Sequence, residues 1–248
     1  MGFFDSLKKT MGLAAGEFEI RVQPETLHVG GLIQGTLRFR ALKALNVVRF
    51  TLELDHGFPV DDYHTDEDEI DLVVLDEMVS FQAGEHREWP FFFELPPQVA
   101  ATMGRFSWTL EANAVLQGGS TLEKEQPLQV RHSPVMGSVL GAVQSQFGFQ
   151  FVQAGADDDG IWMEFNPVGP VRSHFNHLEI AYDEQDDALT LWISLDPFRR
   201  HVIQRYEDSY DPNENSVELV LEKSRYAAGG RADDESVLKV LQPLFSLN

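Results

Sequence analysis

From Glu17 to Arg131 apolar and polar residues alternate with a period of two, and that pattern leaves this stretch little choice but strands with one buried face. Phe18, Ile20 and Val22 alternate with charged or polar neighbours. So do Leu37 and Phe39, then Val48, Phe50, Leu52 and Leu54, then Phe91, Phe93 and Leu95, and finally Phe106, Trp108, Leu110, Ala112 and Ala114. Turn-forming residues punctuate them at Gly30-Gly31, Gly57-Phe58-Pro59, Ala83-Gly84-Glu85, Pro96-Pro97 and Gly118-Gly119. Short strands with no helix between them predict an antiparallel sandwich rather than a βαβ sheet.

A helix is expected at about Pro134 to Phe147, with Ser133 as N-cap, Pro134 in the first turn and Gly148 as the stop. Its apolar stripe is Val135, Val139, Val143 and Phe147, flanked by Met136 and Leu140. Alternation then resumes at Ile161 to Phe165, Leu178 to Tyr182, Leu189 to Leu195 and Val217 to Leu221, which predicts a second sheet. A closing helix is expected from about Asp233 to Phe245, capped by Asp233 or Asp234. At the other end, a helix over residues 2 to 14 would gather Phe3, Phe4, Leu7 and Met11 on one face.

Forty acidic residues against nineteen basic ones give a net charge of −21, which repels a phosphate backbone, so nucleic acid is not an expected partner. The chain has no cysteine, which excludes disulfides and thiolate chemistry and makes a cytoplasmic location the expectation. No run approaches the roughly 18 apolar residues of a membrane span.

Three stretches carry a family likeness. Val22 to Leu37 resembles the arrestin-type opening, with Gly31, Ile33 and Gly35 at its characteristic spacing. Phe81-Gln-Ala-Gly-Glu-His-Arg-Glu-Trp-Pro-Phe-Phe-Phe-Glu-Leu-Pro resembles the arrestin segment that runs from a Gly-Glu turn to a Leu-Pro end. The start Met1-Gly-Phe-Phe-Asp-Ser-Leu-Lys-Lys, with Met163-Glu-Phe-Asn-Pro, Asn176 to Tyr182 and Leu195-Asp196, is similar to the bacterial sporulation-control branch of arrestin-like proteins. The likeness covers most of residues 1 to 131 and, more loosely, 134 to 200. It implies an all-β chain of two tandem arrestin-like β-sandwich domains, 1 to 131 and 132 to 248. A short N-terminal helix, a junction helix and a C-terminal helix complete the expected fold. It also implies regulation by protein contact, without chemistry of its own.

The densest charge block, Asp61, Asp62, Asp66, Glu67, Asp68, Glu69 and Asp71 around Tyr63 and His64, is read as a loop between two strands. Either it is simply solvated, or Asp61, Asp62, Tyr63, Asp66, Glu67 and Asp68 dock a basic protein partner. His174 and His177, with Asp183 or Glu184, are weighed as metal ligands and set aside, because turn-into-strand patterning points the two histidines to opposite faces. Asp211, Asn213, Asn215 and Glu222 occupy EF-hand positions 1, 3, 5 and 12, yet Ser216 replaces the turn glycine and Val217 to Glu222 alternates as a strand. Asp157-Asp158-Asp159-Gly160 reads as a turn. No nucleophile elbow or phosphate-cradling loop is present, so the expectation is a non-enzymatic adaptor or scaffold with no cofactor and no metal. The alternative is a peripheral protein whose Phe3, Phe4, Leu7 and Met11 face meets a membrane surface rather than a protein groove.

Overall fold

The computed structural model describes residues 15–60, 63–157, 160–198, 200–213, 215–228 and 231–246. The expected N-terminal helix with Phe3, Phe4, Leu7 and Met11 lies outside the described residues, as do Asp61, Asp62, Asp158 and Asp159.

The first half is built from β1 (Gly16–Gln23), β2 (Leu27–His28), β3 (Leu32–Ala41), β4 (Leu45–Pro59), β5 (Thr65–Phe81), β6 (His86–Glu94), β7 (Ser107–Leu116), β8 (Thr121–Leu128) and β9 (Val130–Arg131). A three-stranded sheet in the order β1-β3-β6 faces a four-stranded sheet in the order β5-β4-β7-β8. Every long pairing in them is antiparallel. The alternating residues meet between the layers: Ile33, Leu37, Phe93, Leu52, Leu54, Leu110 and Ala112 are fully buried in one cluster. Phe39, Phe50 and Phe81 form the centre of another. Their rings meet edge to face at centroid separations of 5.1, 5.3 and 5.9 Å, the arrangement aromatic quadrupoles favour.

Two of the three segments that carry the family likeness turn out to be partner strands. Ile33 lies opposite Phe93 and Gly35 opposite Phe91. A Cβ on Gly35 would run into the Arg21 carbonyl and the Phe91 ring, and one on Gly31 would sit 2.9 Å from the His28 carbonyl. The Gly-x-Ile-x-Gly spacing is therefore a steric requirement of one buried isoleucine between two close backbone approaches. Gly84, with φ of +86°, turns the chain from β5 into β6, and its N–H donates to the Ala41 carbonyl at 2.8 Å.

Three expectations need correction in this half. Val48 is exposed and Val47 is buried, because a bulge between Val47 and Arg49 shifts the alternation by one residue. Gly57-Phe58-Pro59 is not a turn but the end of β4, and the acidic residues from Asp66 to Asp71 belong to strand β5 rather than to a loop. The pairing of β4 with β5 runs on to Pro59 opposite Thr65.

The second half contains α1 (Pro134–Ser145), β10 (Phe149–Asp157), β11 (Gly160–Pro167), β12 (His177–Glu184), β13 (Ala188–Asp196), α2 (Arg200–Arg205), β14 (Tyr210–Asp211), β15 (Ser216–Glu222), α3 (Lys223–Tyr226) and α4 (Asp234–Leu241). These strands form one six-stranded antiparallel sheet, ordered β10-β11-β12-β13-β15-β14, and Ala227–Ala228 pairs separately with Arg231–Ala232. The layer facing its apolar side is helical. Val135, Met136, Val139 and Val143 of α1 share a core with Val237 and Leu241 of α4 and with Met163, Ile180, Leu191 and Ile193 of the sheet. Ser133 caps α1 by accepting from the Met136 N–H at 3.2 Å, and Gly148 with φ of +74° follows its end. Phe245, beyond α4, stacks on Phe147 at 4.3 Å, which fixes the docking site of the C-terminal helix.

The halves meet in a shared core. Ala100 and Phe106 from the first half are buried in the cluster of the second, with Phe58 and Met103 packed against it. A two-residue parallel pairing of β2 with β9 clasps the chain just before α1, with Leu27 opposite Val130 and His28 opposite Arg131. No helix among the described residues is long and apolar enough to cross a membrane.

Candidate functional site

Strand β5 is the edge of its sheet, seventeen residues long, and it carries Asp66, Glu67, Asp68, Glu69, Asp71, Asp76 and Glu77. Its pairing with β4 places Asp66 opposite Phe58, Glu67 opposite Gly57, Asp68 opposite His56 and Glu69 opposite Asp55. The Val60 N–H donates to the His64 carbonyl at 3.0 Å and closes the hairpin, and Tyr63 stands at its tip, 87% exposed. The structure thus brings Tyr63, Asp66, Glu67 and Asp68 together on one projecting hairpin.

The acids divide by position. Near the base of β5, Glu77 pairs with Arg49 at 3.1 Å, while Asp76 accepts from the Trp89 indole N–H at 3.3 Å and from Arg87 at 3.4 Å. Toward the tip, none of Asp66, Glu67, Asp68, Glu69 and Asp71 has a Lys or Arg within ion-pair distance among the described residues. Two of them serve the backbone, as Asp66 accepts from the Glu67 N–H at 3.0 Å and Asp71 from the Leu72 N–H at 2.8 Å.

Register adds carboxylates that alternation alone did not reveal. On the outer face of the sheet Glu53 lies opposite Glu111, Glu111 opposite Glu125, and Asp55 opposite Glu69. Like charges directly across strands repel. Burial pushes the Asp55 carboxyl up to about 6, and the charges of Glu53, Glu111, Glu67 and Glu69 add to the shift. Glu53 is partly compensated by the Thr51 hydroxyl at 3.1 Å, and the Asn113 amide serves Glu111 at 2.9 Å. The signal was present in sequence as acidic residues on four strands; only pairing shows that they are neighbours. Exposed Leu72 and Val74 interrupt the charge along β5.

The set-aside metal candidates are held apart. Asp211 pairs with Ser216 at one end of β15 and Glu222 lies at the other, so the two cannot share an ion. His177 lies 3.6 Å from Glu164, on β12, whereas His174 follows the 3₁₀ turn Gly169–Ser173. Asp157 and Gly160 are the closing pair of the β10 to β11 hairpin. No group of three or more His, Asp or Glu among the described residues is arranged to hold a metal. A groove of about 710 Å³ runs between α1 and α4, lined by Gly137, Gly141, Arg231, Glu235 and Leu238 among others.

Known proteins resemble the chain over nearly its whole length. It is 22% identical over 258 residues to the sporulation-control protein spo0M of Bacillus subtilis (strain 168), with 98% of each sequence covered. The crystal structure of Spo0M from Bacillus subtilis superposes with a TM-score of 0.70 at 21% identity, covering 94% of this chain and 98% of that one, and so shares its fold. The model of the SpoOM protein family matches residues 4–201, and the chain belongs to that family.

Proposed function

We propose that this protein is a non-enzymatic regulatory adaptor whose acidic β4 to β5 hairpin binds a basic, extended segment of a partner protein. The observation that carries this reading is the edge strand β5, which has no neighbour on its outer side among the described residues and bears seven acidic side chains. An open edge offers a row of backbone donors and acceptors to an added strand, and side-chain charge then selects which strand is accepted. A second copy of β5 would be repelled; a Lys- or Arg-rich segment would be attracted. Similarity to a sporulation-control protein supports a regulatory role.

The test is affinity capture from lysate with the full chain and with an Asp66→Lys, Glu67→Lys, Asp68→Lys variant, whose three sites are exposed and leave the core intact. The unmodified chain should retain a partner that the variant loses, and salt should weaken the capture. Equal capture by both proteins, or no partner above an acidic control protein, would reject the reading.

A further inference from the structure

Four buried side-chain atoms have no hydrogen-bond partner among the described residues: His56 Nε2, His132 Nδ1 and both carboxylate oxygens of Glu184. Glu184 at least faces Lys223, whose Nζ lies 3.0 Å away. The two imidazoles have no ion-pair partner among the described residues, and both occupy the seam between the two halves. His56, 5% exposed, lies 4.8 Å from Trp108 in the first-half core. On its other sides it stacks on Phe106 at 5.8 Å and on Phe58 at 6.4 Å, both of which pack into the second-half core. His132 is the last residue before the cap of α1. Its carbonyl sits 2.7 Å from His28 Nδ1 of the first half, and its ring lies 6.3 Å from Tyr182 of the six-stranded sheet.

We propose that His56 and His132 form an acid-sensitive latch, in which both imidazoles are neutral when the halves are closed on each other and proton uptake by either one opens the seam. A protonated imidazole carries two N–H donors, and each of these rings has a buried nitrogen with nothing to receive the second. The groups facing His56 are Asp68 on β5, the Ala100 carbonyl and the aromatic rings. The carbonyl also accepts from the Trp108 indole N–H at 2.8 Å. The groups facing His132 are His28 on β2 and Tyr182 on β12, and Tyr182 in turn feels the charge of Glu184. Neither set supplies a buried anion in contact with the ring.

Burial lowers His56 to about 4, although the Ala100 carbonyl and Asp68 oppose the shift, and burial alone lowers His132 to about 4. Folded values below the ordinary 6.5 mean that the closed state is favoured above about pH 6.5 and loses that advantage as the pH falls toward about 4. Between about pH 7.5 and 5.5 each imidazole released to water shifts the opening equilibrium about tenfold, and the two together about 100-fold.

Because the chain has no cysteine, an Ala83→Cys, Glu218→Cys pair carries two fluorophores without background, one on each half. Lowering the pH from 7.5 to 5.5 should broaden and lengthen the distance distribution reversibly. Hydrogen exchange in β10 and α1 should rise before that in β12 and β13. Adding His56→Phe, His132→Phe should remove the pH response, since phenylalanine fits an aromatic surround and cannot titrate. A distance unchanged down to pH 5.5, or an unchanged pH response in the double variant, would overturn the proposal. Should that variant fail to fold, NMR titration of the imidazoles in the unmodified chain decides instead: values within one unit of 6.5 for both would overturn the latch, and values near 4 would uphold it.

Discussion

Replacing Lys223 by Met isolates one of the costlier arrangements in the molecule. Glu184 is fully buried at the end of β12, on the same face as Leu178, Ile180 and Tyr182. Lys223 Nζ approaches Oε1 at 3.0 Å, yet neither carboxylate oxygen has a donor in hydrogen-bonding geometry, so Coulomb attraction alone balances the desolvation. The Glu184 charge is felt nearby: Tyr182 is raised above the ordinary tyrosine range, first by burial and then by this carboxylate. Methionine keeps most of the lysine stem's volume and removes only the cation. Stripping one partner from a buried pair costs about 3–5 kcal/mol, and because the Lys223 side chain is 21% exposed, water can reach the site and the lower end, about 3 kcal/mol, applies. For a chain of this size that corresponds to a melting temperature lower by about 6–12 °C. Urea unfolding followed by circular dichroism should show a reduced midpoint with an unchanged slope. Adding Glu184→Leu to Lys223→Met should restore most of the loss, since an apolar pair has no charge to strand. A single-variant loss under about 1 kcal/mol, or a double variant no more stable than Lys223→Met, would show that the carboxylate is not held by this lysine.

Two further outcomes follow from the first half. Gly35→Val should destabilise by about 1–3 kcal/mol in the same urea assay, because the new side chain meets the Arg21 carbonyl and the Phe91 ring; a neutral result would show that β1 and β6 are not held at this separation. Asp55→Asn should stabilise at about pH 7.5. The folded value of about 6 lies above the ordinary 3.8, so the cost of ionisation is complete above about pH 6 and vanishes as the pH falls below about 3.8. Because Asp55 is only half-buried and water still reaches the carboxyl, screening holds the gain to about 1 kcal/mol, and a gain that persists at pH 3.5 would refute the charge explanation.

Local chemistry made much of this architecture legible. The two-residue alternation placed Leu37, Phe39, Phe50, Leu52, Phe91 and Phe93 in the core, where they are found. Ser133 and Gly148 bracketed the junction helix, and Gly30, Gly84 and Gly118-Gly119 marked turns by positive φ. Strand β10 is not legible in the sequence because a bulge between Phe151 and Gln153 breaks its alternation. The hairpin tip was misplaced because charged residues on both faces of an edge strand look like a loop: neither face of β5 near the tip is packed, so no hydrophobic period survives there.

The sequence by itself determined most of the strands and their buried faces, the caps and the acidity, since these depend on composition and on residues close together along the chain. Which carboxylates oppose one another is a matter of register: Glu53, Glu111 and Glu125 come from three strands and meet only when those strands pair. The helical cover of the second sheet is likewise tertiary, for the apolar stripe of α1 says that it must be buried but not against what. The two histidines of the seam show the same limit. Neither His56 nor His132 is distinctive in the chain, and only the folded structure buries them and leaves a nitrogen on each without a hydrogen-bond partner among the described residues.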